Sequence, residues 1–427
     1  MKITVSGTGY VGLVTAVCMA EKGHEVTCID INKEKIDMLR SGHSPIYENG
    51  LEELMQKNKE KLHFTLDSKE AYQNAEVIFI GVGTPEKRDG SANLKYINEV
   101  VDQISEIVQQ ECVVVVKSTV PIGTNDKIEK KLKSKNTKID VVSNPEFLAQ
   151  GTAVHDTLCA SRIVIGSENK RAKEIMLKVY EKFDAPFVLT NRRSAEMIKY
   201  ASNDFLALKI SYINEIANLC EEIGANVQDV ALGMGYDPRI GSKFLKAGIG
   251  YGGSCFPKDT KALHWLSNLH DHELKTVKAA IEVNEQQKLR LIKKARKKYN
   301  SFEGLTIAVL GLTFKPGTDD IREAPSLVNI PIFLEDGAKV KAWDPVGVPN
   351  FKKIYPTEIE YCNSIEDTIK DADMCFILTE WPEIMKYDCN KFKKLMKTPI
   401  VLDGRNCIKI TDEEIIYESI GKNIIRS

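Results

Sequence analysis

The feature that most constrains the fold of this chain is a series of strand-like apolar runs that occurs once near each end. Each run is short and ends at a glycine, an aspartate or a polar loop, and helical stretches separate the runs. Such an alternation predicts a parallel sheet wound on both faces. The first series comprises residues 2–6 before Gly7, 25–29 before Asp30, and 76–82, 113–117 and 139–143. The second comprises residues 305–310 before Gly311, 339–343 before Asp344, and 372–379.

The middle of the chain has a different pattern, with few strand-like runs and apolar residues at helical spacing. The spacing from Ile198 to Cys220 predicts one long helix that ends near Gly224. We therefore expect an α/β protein with two Rossmann-like doubly wound parallel-sheet domains, joined by a central helical domain. A long helix of this kind is often where two subunits pair, so a homodimer is expected. The predicted domains are residues 1–193, 194–299 and 300–427.

Composition excludes several classes of function. The chain has 59 Lys and Arg against 60 Asp and Glu, so no overall field attracts nucleic acid or a membrane surface. No apolar run approaches the roughly 20 residues of a membrane span, and no signal-peptide core is present. The 10 cysteines show no zinc-ligand spacing, and we expect no metal site. The expected compartment is the reducing cytoplasm.

The motif GTGYVG follows the first strand-like run and opens a helix, which is the context in which GxGxxG binds a dinucleotide. Gly7 would make the turn, Gly9 would let the pyrophosphate approach, and Gly12 would let the helix pack closely. Asp30 would bind the adenosine ribose hydroxyls and repel a 2′-phosphate, while Lys35 offers some tolerance of NADP. The predicted cofactor is NAD, and only the first series has all three glycines.

A second motif, GYGGSCFPKD, combines a thiol with features that activate it. Pro257 fits only the first turn of a helix, so Cys255 is predicted at or just before a helix N-terminus. That position lowers the pKa of a thiol, and Lys258 adds a nearby cation. Asp259 lies about one helical turn away. Gly252 and the glycine after it predict an irregular backbone that a ligand approaches closely. Cys255 is therefore predicted to be a nucleophile.

Both motifs resemble those of the UDP-glucose 6-dehydrogenase family, and the resemblance runs along nearly the whole chain. Other matching segments are PIYENGLEEL from Pro45, KSTVPIGT from Lys117, SNPEFLAQGTA from Ser143 and FLKAGIGYGG from Phe244. The resemblance implies a four-electron oxidation of the primary alcohol of UDP-glucose to the carboxylate, with two NAD used in sequence. Relatives oxidise UDP-N-acetyl-mannosamine or GDP-mannose, and this is the alternative. Their cysteine segments usually depart from SCFPKD, which favours UDP-glucose.

The resemblance implies a catalytic set whose residue types fit that chemistry. A thiolate at Cys255 would trap the aldehyde, and oxidation of the adduct would give a thioester that water cleaves. The side chains on the predicted long helix would stabilise the negative oxygen, and the others would hold or activate water. A regulatory NAD-binding protein without turnover is disfavoured because the set is complete. The set is Cys255, Lys199, Asn203, Asp259, Thr119 and Glu146.

The segment around Glu146 has one expected local structure and one departure from the family. Asn144 followed by Pro145 predicts a helix cap with proline in the first turn, from which Glu146 would project. Four residues after Glu146 the family often has a second glutamate, but this chain has Gln150. An amide cannot act as a base, so we expect Gln150 only to position its neighbours.

The resemblance also implies the binding residues. The uridine diphosphate is expected in the second α/β domain, with Arg239 reaching the sugar of a partner subunit if the family's dimer applies. The NAD-binding residues would be Gly7, Gly9, Tyr10, Val11, Gly12, Asp30, Lys35, Thr84, Ser118, Thr119, Gln150, Lys258 and Arg322. The UDP-sugar-binding residues would be Glu146, Phe147, Leu148, Lys199, Asn203, Arg239, Phe244, Leu245, Lys246, Tyr251, Gly252, Phe314, Lys315 and Arg405.

Overall fold

The computed structural model describes residues 1–422. The chain divides into two compact units, Met1–Ser202 and Asn203–Ser427. Each unit contains one sheet with helices packed against it. No helix within the described residues is both long enough and apolar enough to cross a membrane.

The first unit contains an eight-stranded sheet. Its strands are β1 (Lys2–Ser6), β2 (Glu25–Ile29), β3 (Leu62–Thr65), β4 (Val77–Ile80), β5 (Cys112–Val116), β6 (Ile139–Ser143), β7 (Ile163–Gly166) and β8 (Phe187–Thr190). The spatial order is β3-β2-β1-β4-β5-β6-β7-β8. The central strands β4, β5 and β6 are buried along their whole length, because helices cover both faces.

Eight helices belong wholly to this unit. They are α1 (Tyr10–Glu21), α2 (Lys33–Arg40), α3 (Leu51–Lys57), α4 (Ser68–Tyr72), α5 (Lys95–Ile107), α6 (Thr124–Lys133), α7 (Ala153–Leu158) and α8 (Lys170–Val179). Helix α1 is buried from Gly12 to Ala20, since it lies between the sheet, α3 and α7. This burial explains why its sequence is apolar all round rather than on one stripe.

The pairing of β6 with β7 differs from the predicted parallel arrangement. Ser143 pairs with Gly166 in antiparallel fashion, whereas the other pairings of this sheet are parallel. Strands that are buried on both faces are apolar runs in either direction, so their sequence does not specify orientation. The doubly wound parallel fold is confirmed for β1 to β6.

The predicted long helix is present as α9 (Arg192–Ile223). Its predicted end near Gly224 is confirmed, and its first residues belong to the first unit while the rest belong to the second. Gly224 has a φ of 76°, a left-handed conformation that ends a helix at little cost when the residue is glycine.

The second unit contains a six-stranded parallel sheet in the order β11-β10-β9-β12-β13-β14. Its strands are β9 (Thr306–Leu310), β10 (Lys339–Trp343), β11 (Ile359–Tyr361), β12 (Met374–Ile377), β13 (Ile400–Asp403) and β14 (Ile416–Ser419). Its other helices are α10 (Val227–Gly235), α11 (Phe256–Leu269), α12 (Lys275–Gln287), α13 (Arg290–Arg296), α14 (Ser326–Glu335), α15 (Val348–Phe351), α16 (Ile365–Ile369), α17 (Pro382–Met385) and α18 (Asn390–Leu395). The repeated α/β pattern is thereby confirmed.

Candidate active site

The three glycines of the first motif have distinct structural reasons. Gly7 has a φ of 94°, as the turn after β1 requires. A Cβ on Gly12 would lie 1.9 Å from the carbonyl oxygen of Gly7, so only glycine allows this approach of α1. A Cβ on Gly9 would meet no described heavy atom within 4 Å. The space at Gly9 is therefore open to a ligand, as a pyrophosphate at the start of α1 requires.

Asp30 is held at the end of β2 by the glycine loop. Its Oδ2 accepts hydrogen bonds from the Thr8 N–H at 2.8 Å and the Thr8 hydroxyl at 2.7 Å, and its Oδ1 accepts one from the Asn32 N–H at 3.0 Å. Burial would raise the pKa of Asp30, but these hydrogen bonds hold it below its usual range. The carboxylate is thus a charged acceptor, and it stays half-exposed, as contact with a ribose requires.

Asp344 is the equivalent aspartate of the second unit, and its carboxylate is buried. It is 5% exposed, and its Oδ2 accepts from Leu312 N at 2.7 Å, Thr313 N at 3.1 Å and Trp381 Nε1 at 3.0 Å. Its Oδ1 accepts from the Gly347 N–H at 2.6 Å. Protein donors thus occupy this carboxylate, which agrees with the prediction that only the first repeat is a dinucleotide site.

The loops after β4 and β5 bring together three predicted NAD contacts. The Thr84 hydroxyl donates to the Thr119 carbonyl at 2.9 Å, and the Ser118 hydroxyl donates to the Val82 carbonyl at 2.6 Å. Ser118 is buried, whereas Thr119 is partly exposed. Thr119 is thus the member of the KST segment whose side chain is more accessible.

Four other predicted NAD contacts lie at or near helix starts or in the loop before α7. The Tyr10 hydroxyl donates to the Tyr47 carbonyl, Val11 is in the first turn of α1, and Lys35 is partly exposed in the first turn of α2. Lys35 lies near enough to Asp30 for its charge to lower the pKa of that carboxyl. Gln150 is 8% exposed and precedes α7.

Lys199 and Glu146 form a buried ion pair within the first unit. The Lys199 Nζ lies 2.8 Å from both the Oε1 and the backbone carbonyl of Glu146, and both residues are less than 10% exposed. The second carboxylate oxygen of Glu146 accepts from the Leu148 N–H at 2.8 Å. Lys199 also lies 5.6 Å from the ring centroid of Phe147, which stacks with Arg162. The structure thus joins four of the predicted residues in one cluster.

The predicted helix cap at Asn144 is wrong. Residues 144–149 are not helical, and α7 begins only at Ala153. The Asn144 side chain donates to the Val164 carbonyl at 2.7 Å and accepts from the Lys117 Nζ at 3.0 Å and the Tyr180 hydroxyl at 2.6 Å. These long-range contacts outweigh the weak local preference of an Asn-Pro pair, so Glu146 projects from an extended segment.

Cys255 occupies the predicted position at a helix start. It is the N-cap residue of α11, with Pro257 in the first turn, and its thiol is partly exposed. The Asp259 N–H donates to the Cys255 carbonyl at 2.8 Å, which closes the first turn. By contrast, Cys18 and Cys28 belong to the core, and burial raises the pKa of each thiol to about 12.

The glycines before Cys255 are required by packing within the second unit, and the predicted close approach of a ligand stays a prediction. A Cβ on Gly252 would lie 2.3 Å from the carbonyl oxygen of Glu323. Gly253 has a φ of 82°, and a Cβ there would lie 2.8 Å from the Phe314 ring. The chain itself fills this space, so these glycines let the segment before Cys255 pack against the second α/β core.

Asp259 is the most enclosed group of the second motif. It is 1% exposed, its Oδ1 accepts from the Lys258 Nζ at 2.6 Å, and its Oδ2 accepts from the Asn203 amide at 2.7 Å. Asn203 is thereby joined to Asp259, and it lies one turn after Lys199 on α9. Lys258 binds a carboxylate, so a role in contacting NAD stays a prediction.

A cavity of about 300 Å³ lies within the second unit, and Phe256, the residue after Cys255, is part of its lining. Tyr251 and Phe244 contact the Phe256 ring at centroid distances of 5.8 Å and 6.2 Å, which builds an aromatic wall. Seven predicted substrate residues line the cavity, together with Phe256 and Glu380. These are Phe244, Lys246, Tyr251, Gly252, Phe314, Lys315 and Arg405. Leu245 is 4% exposed and belongs to the core.

The three arginines predicted to contact NAD or the sugar nucleotide bind other groups of the protein. Arg405 donates to the carbonyls of Leu378, Gly250 and Phe314 at 2.8–3.1 Å, so it holds three segments at the cavity together. Arg322 forms a bidentate pair with Asp320, and Arg239 forms one with Asp237. Their predicted contacts with NAD and sugar stay predictions. Arg239 is almost fully exposed, as a residue that serves another subunit would be.

Sequence reasoning missed two buried titratable residues near these clusters, Lys117 and Asp204. Lys117 had a signal, a lysine directly after an apolar strand. Asp204 had a weaker one, an acid beside Asn203 on a helix whose neighbouring positions are apolar. Within residues 1–422, no group of three or more His, Cys, Asp or Glu side chains is arranged to hold a metal ion.

Three family models match successive parts of the chain. Residues 1–184 match the NAD binding domain of the UDP-glucose/GDP-mannose dehydrogenase family, residues 193–286 match its central domain, and residues 308–410 match its UDP binding domain. The match over the glycine loop and Asp30 confirms NAD as the cofactor, and the third match agrees with the cavity of the second unit.

Individual relatives span the full length of the chain. It is 48% identical to UDP-glucose 6-dehydrogenase YwqF of Bacillus subtilis, over 100% of this chain and 98% of that one. A solved UDP-glucose dehydrogenase of Pyrobaculum islandicum has a TM-score of 0.91 and 35% identity, covering 98% and 96%. A UDP-D-ManNAc dehydrogenase of Pyrococcus horikoshii has a TM-score of 0.88 and 28% identity, covering 99% of each. The chain therefore belongs to the UDP-glucose/GDP-mannose dehydrogenase family of NAD-dependent oxidoreductases.

Proposed function

We propose that this protein oxidises the C6 alcohol of UDP-glucose to the carboxylate of UDP-glucuronate, with Cys255 as a covalent nucleophile. The observation that carries the proposal is the placement of Cys255 at the start of α11, one turn before an Asp259 that Lys258 and Asn203 hold. A helix N-terminus stabilises a thiolate, and a fixed carboxylate beside it can order a water. Full-length relatives named as UDP-glucose 6-dehydrogenases support the choice of substrate.

The first oxidation needs a base for the alcohol proton. NAD, when bound, would supply the hydride acceptor for this oxidation and for the second one. A water held by Asp259 takes the hydroxyl proton, and the product is an aldehyde. The ammonium of Lys199 and the amide of Asn203 stabilise the negative oxygen while it forms. The proposal therefore requires these groups to face one substrate carbon.

The second oxidation needs an aldehyde that stays bound while the cofactor exchanges. The Cys255 thiolate adds to the aldehyde carbon and forms a thiohemiacetal, whose loss of a second hydride leaves a thioester. A water oriented by Thr119 and Glu146 attacks the thioester carbon. The carbon–sulfur bond breaks, and the carboxylate and the Cys255 thiol are released. In sum, the alcohol, two NAD⁺ and one water give the carboxylate, two NADH and three protons.

The proposed reaction assigns a role to each domain of the chain. We propose residues 1–193 as the NAD domain, 194–299 as the central helical domain and 300–427 as the UDP-sugar domain. Arg322, Lys315 and Arg239 would complete the NAD and sugar contacts. We also propose that the enzyme works in the reducing cytoplasm, since all ten cysteines are unpaired and the thiol of Cys255 must stay reduced.

We propose a homodimer formed through α9. In the second unit this helix leaves four large apolar side chains exposed at helical spacing, namely Phe205, Tyr212, Leu219 and Ile223. A stripe of this size on one helix is typical of a protein interface rather than of a solvated surface.

The alternative is the same chemistry on an N-acetylhexosamine or a GDP sugar, as in the Pyrococcus horikoshii relative. The test is a panel of UDP-glucose, UDP-N-acetyl-mannosamine and GDP-mannose with NAD, with kcat/KM measured for each. We expect UDP-glucose to be preferred over UDP-N-acetyl-mannosamine by at least about 100-fold, because a pocket fitted to a hydroxyl has no room for an acetamido group. We also expect it to be preferred over GDP-mannose, which differs from it in both the base and the sugar. Preference for either other sugar would contradict the proposed substrate.

A further inference from the structure

The strongest unexplained feature of the second unit is Asp204. It is 5% exposed, and neither of its carboxylate oxygens has a hydrogen-bond partner among residues 1–422. A buried polar group without a partner is unfavourable, and an ionised one is more so. Buried carboxyls of this kind concentrate at functional sites.

Asp204 directly follows Asn203 on α9, so the two side chains leave the helix in different directions. The Asn203 amide reaches Asp259 at 2.7 Å, while Asp204 lies on the face that also carries Ser211, two turns later. The Ser211 hydroxyl donates to the Ala280 carbonyl of α12 at 2.7 Å. Asp204 therefore lies on the face of α9 that packs on the helices following Cys255.

The charged and titratable groups around Asp204 make it the neutral member of a carboxyl pair. Asp259 and Lys258 come from α11, Tyr251 from the segment before it, and Glu285, which acts on Tyr251, from α12. Burial, and then the charge of Asp259, raise the pKa of Asp204 to about 8. Two adjacent carboxyls hold one charge most easily on the member with donors.

Asp259 is that member, since Lys258 and Asn203 both donate to it. We propose that Asp204 is a positioning residue for Asp259: a buried neutral acid that leaves the single charge on Asp259 and sets the alkaline limit of the working site. When Asp204 loses its proton, a second charge appears behind Asp259 and competes for Lys258 and Asn203. This inference rests on the proposed function, in which Asp259 holds the water.

The first test needs no substrate. Asp204→Asn keeps the shape of the protonated acid but cannot ionise, and Glu282→Gln, which removes an exposed carboxylate from α12, is the matched control. The pKa of Asp204 is higher in the folded state than in the unfolded chain, so its stabilising effect is present at low pH and is lost between about pH 4 and 8. From pH 5 to 8, the Tm of wild type should fall by about 2 °C or more relative to Asp204→Asn. Parallel Tm curves would overturn the proposal.

The second test asks whether Asp259 is the partner. In an Asp259→Asn background, Asp204 keeps its burial but no longer faces a charge, so the Tm difference between Asp and Asn at position 204 should become smaller at pH 8 without disappearing. An unchanged difference would overturn the coupling. Glu282→Gln should leave the difference intact in both backgrounds.

The third test measures turnover with UDP-glucose. The ratio of kcat at pH 9.5 to kcat at pH 7 should be at least about fivefold higher in Asp204→Asn than in wild type, because the alkaline limit moves up. Equal ratios would overturn the role in the working site. If UDP-glucose is not turned over by wild type, the proposed function fails by itself, while the two Tm tests still decide whether Asp204 is the neutral partner of Asp259.

Discussion

A buried lysine, Lys117, lies near the predicted catalytic residues of the first unit. Lys117 lies at the end of β5, 9% exposed, with its Nζ 3.0 Å from Asn144 Oδ1 and 3.3 Å from the Tyr180 hydroxyl. Burial, and then the charge of Lys199, lower the pKa of Lys117 to about 8, while Glu146 opposes them. Glu146 therefore has two cations in its surroundings, Lys199 in direct contact and Lys117 farther away.

Lys117→Met should weaken the dependence of the free energy of unfolding on pH above about pH 8. The folded pKa of Lys117 is about 8, below the 10.5 of a free lysine, so its stabilising effect appears as pH rises from 8 to 10.5 and is lost as pH falls. The contribution at pH 10.5 is at most about 3 kcal/mol. Urea unfolding gives the free energy of unfolding of wild type and of Lys117→Met at pH 7.5 and at pH 10. The contribution of Lys117 is the change between the two pH values in wild type minus the same change in the variant.

Lys127→Met, an exposed lysine on α6, is the control and should leave the wild-type profile unchanged. Equal profiles for Lys117→Met and wild type would show that Lys117 titrates normally. In that case the buried cation near Glu146 would have no special role in the stability of the cluster.

At the scale of elements, the glycine loop shows how one motif separates packing from binding. Gly12 has no room for a methyl group, because the Gly7 carbonyl lies 1.9 Å from its Cβ position, whereas Gly9 faces open space with an ordinary φ of −78°. The two glycines are three residues apart. Packing requires glycine at position 12, whereas at position 9 we expect ligand binding to require it. This contrast gives a matched pair of variants.

Gly12→Ala should destabilise the fold by about 1–3 kcal/mol or more, because α1 must move away from the loop. Gly9→Ala should change the stability by less than about 0.5 kcal/mol but weaken NAD binding at least about tenfold, since its methyl group occupies the pyrophosphate position. Thermal unfolding and titration calorimetry with NAD separate the two effects. Normal NAD binding by a folded Gly9→Ala variant would contradict the assigned cofactor site.

Elements with strong local signals were predictable, and those that depend on distant contacts were not. The bounds of β1, β2, β6 and β10 match the predicted runs, since these strands are short, apolar and followed by clear turns. The cap at Asn144 failed because Lys117, Tyr180 and the Val164 carbonyl bind its side chain. None of these partners is close to Asn144 in sequence.

The candidate site shows the same division. The motifs identified Cys255, Asp259 and the glycine loop, because helix starts and tight turns leave local signatures. The Lys199–Glu146 pair and the engagement of Arg405 with three carbonyls required the structure, since each joins segments far apart in sequence. Asp204 was missed because its burial depends on α11 and α12, not on its neighbours in α9.

At the scale of the whole molecule, the two α/β repeats have diverged in what their aspartates do. Asp30 keeps a half-exposed carboxylate, whereas five or more protein donors surround Asp344. One repeat is thus open for a dinucleotide and the other is closed at the same place. The exposed apolar stripe of α9 is a further feature at this scale. We expect a second copy of the chain to cover it.

Phe205→Asp combined with Leu219→Asp should convert a dimer into a monomer. Both side chains are more than half exposed on α9, and a charge at each would be buried without a partner in an interface. Size-exclusion chromatography with light scattering should give the mass of two chains for wild type and one for the variant. Ile354→Asp, an exposed apolar residue after α15, should stay dimeric, and a monomeric wild type would contradict the proposed dimer.

The most direct measurement of the central claim is the number of NADH formed per UDP-glucose consumed, in wild type and in Cys255→Ala. We expect two NADH per sugar for wild type, because Cys255 holds the aldehyde until a second NAD is bound. We expect Cys255→Ala to stall after the aldehyde or to lose turnover altogether. If the variant formed the acid at an undiminished rate with two NADH per sugar, the covalent mechanism would be wrong.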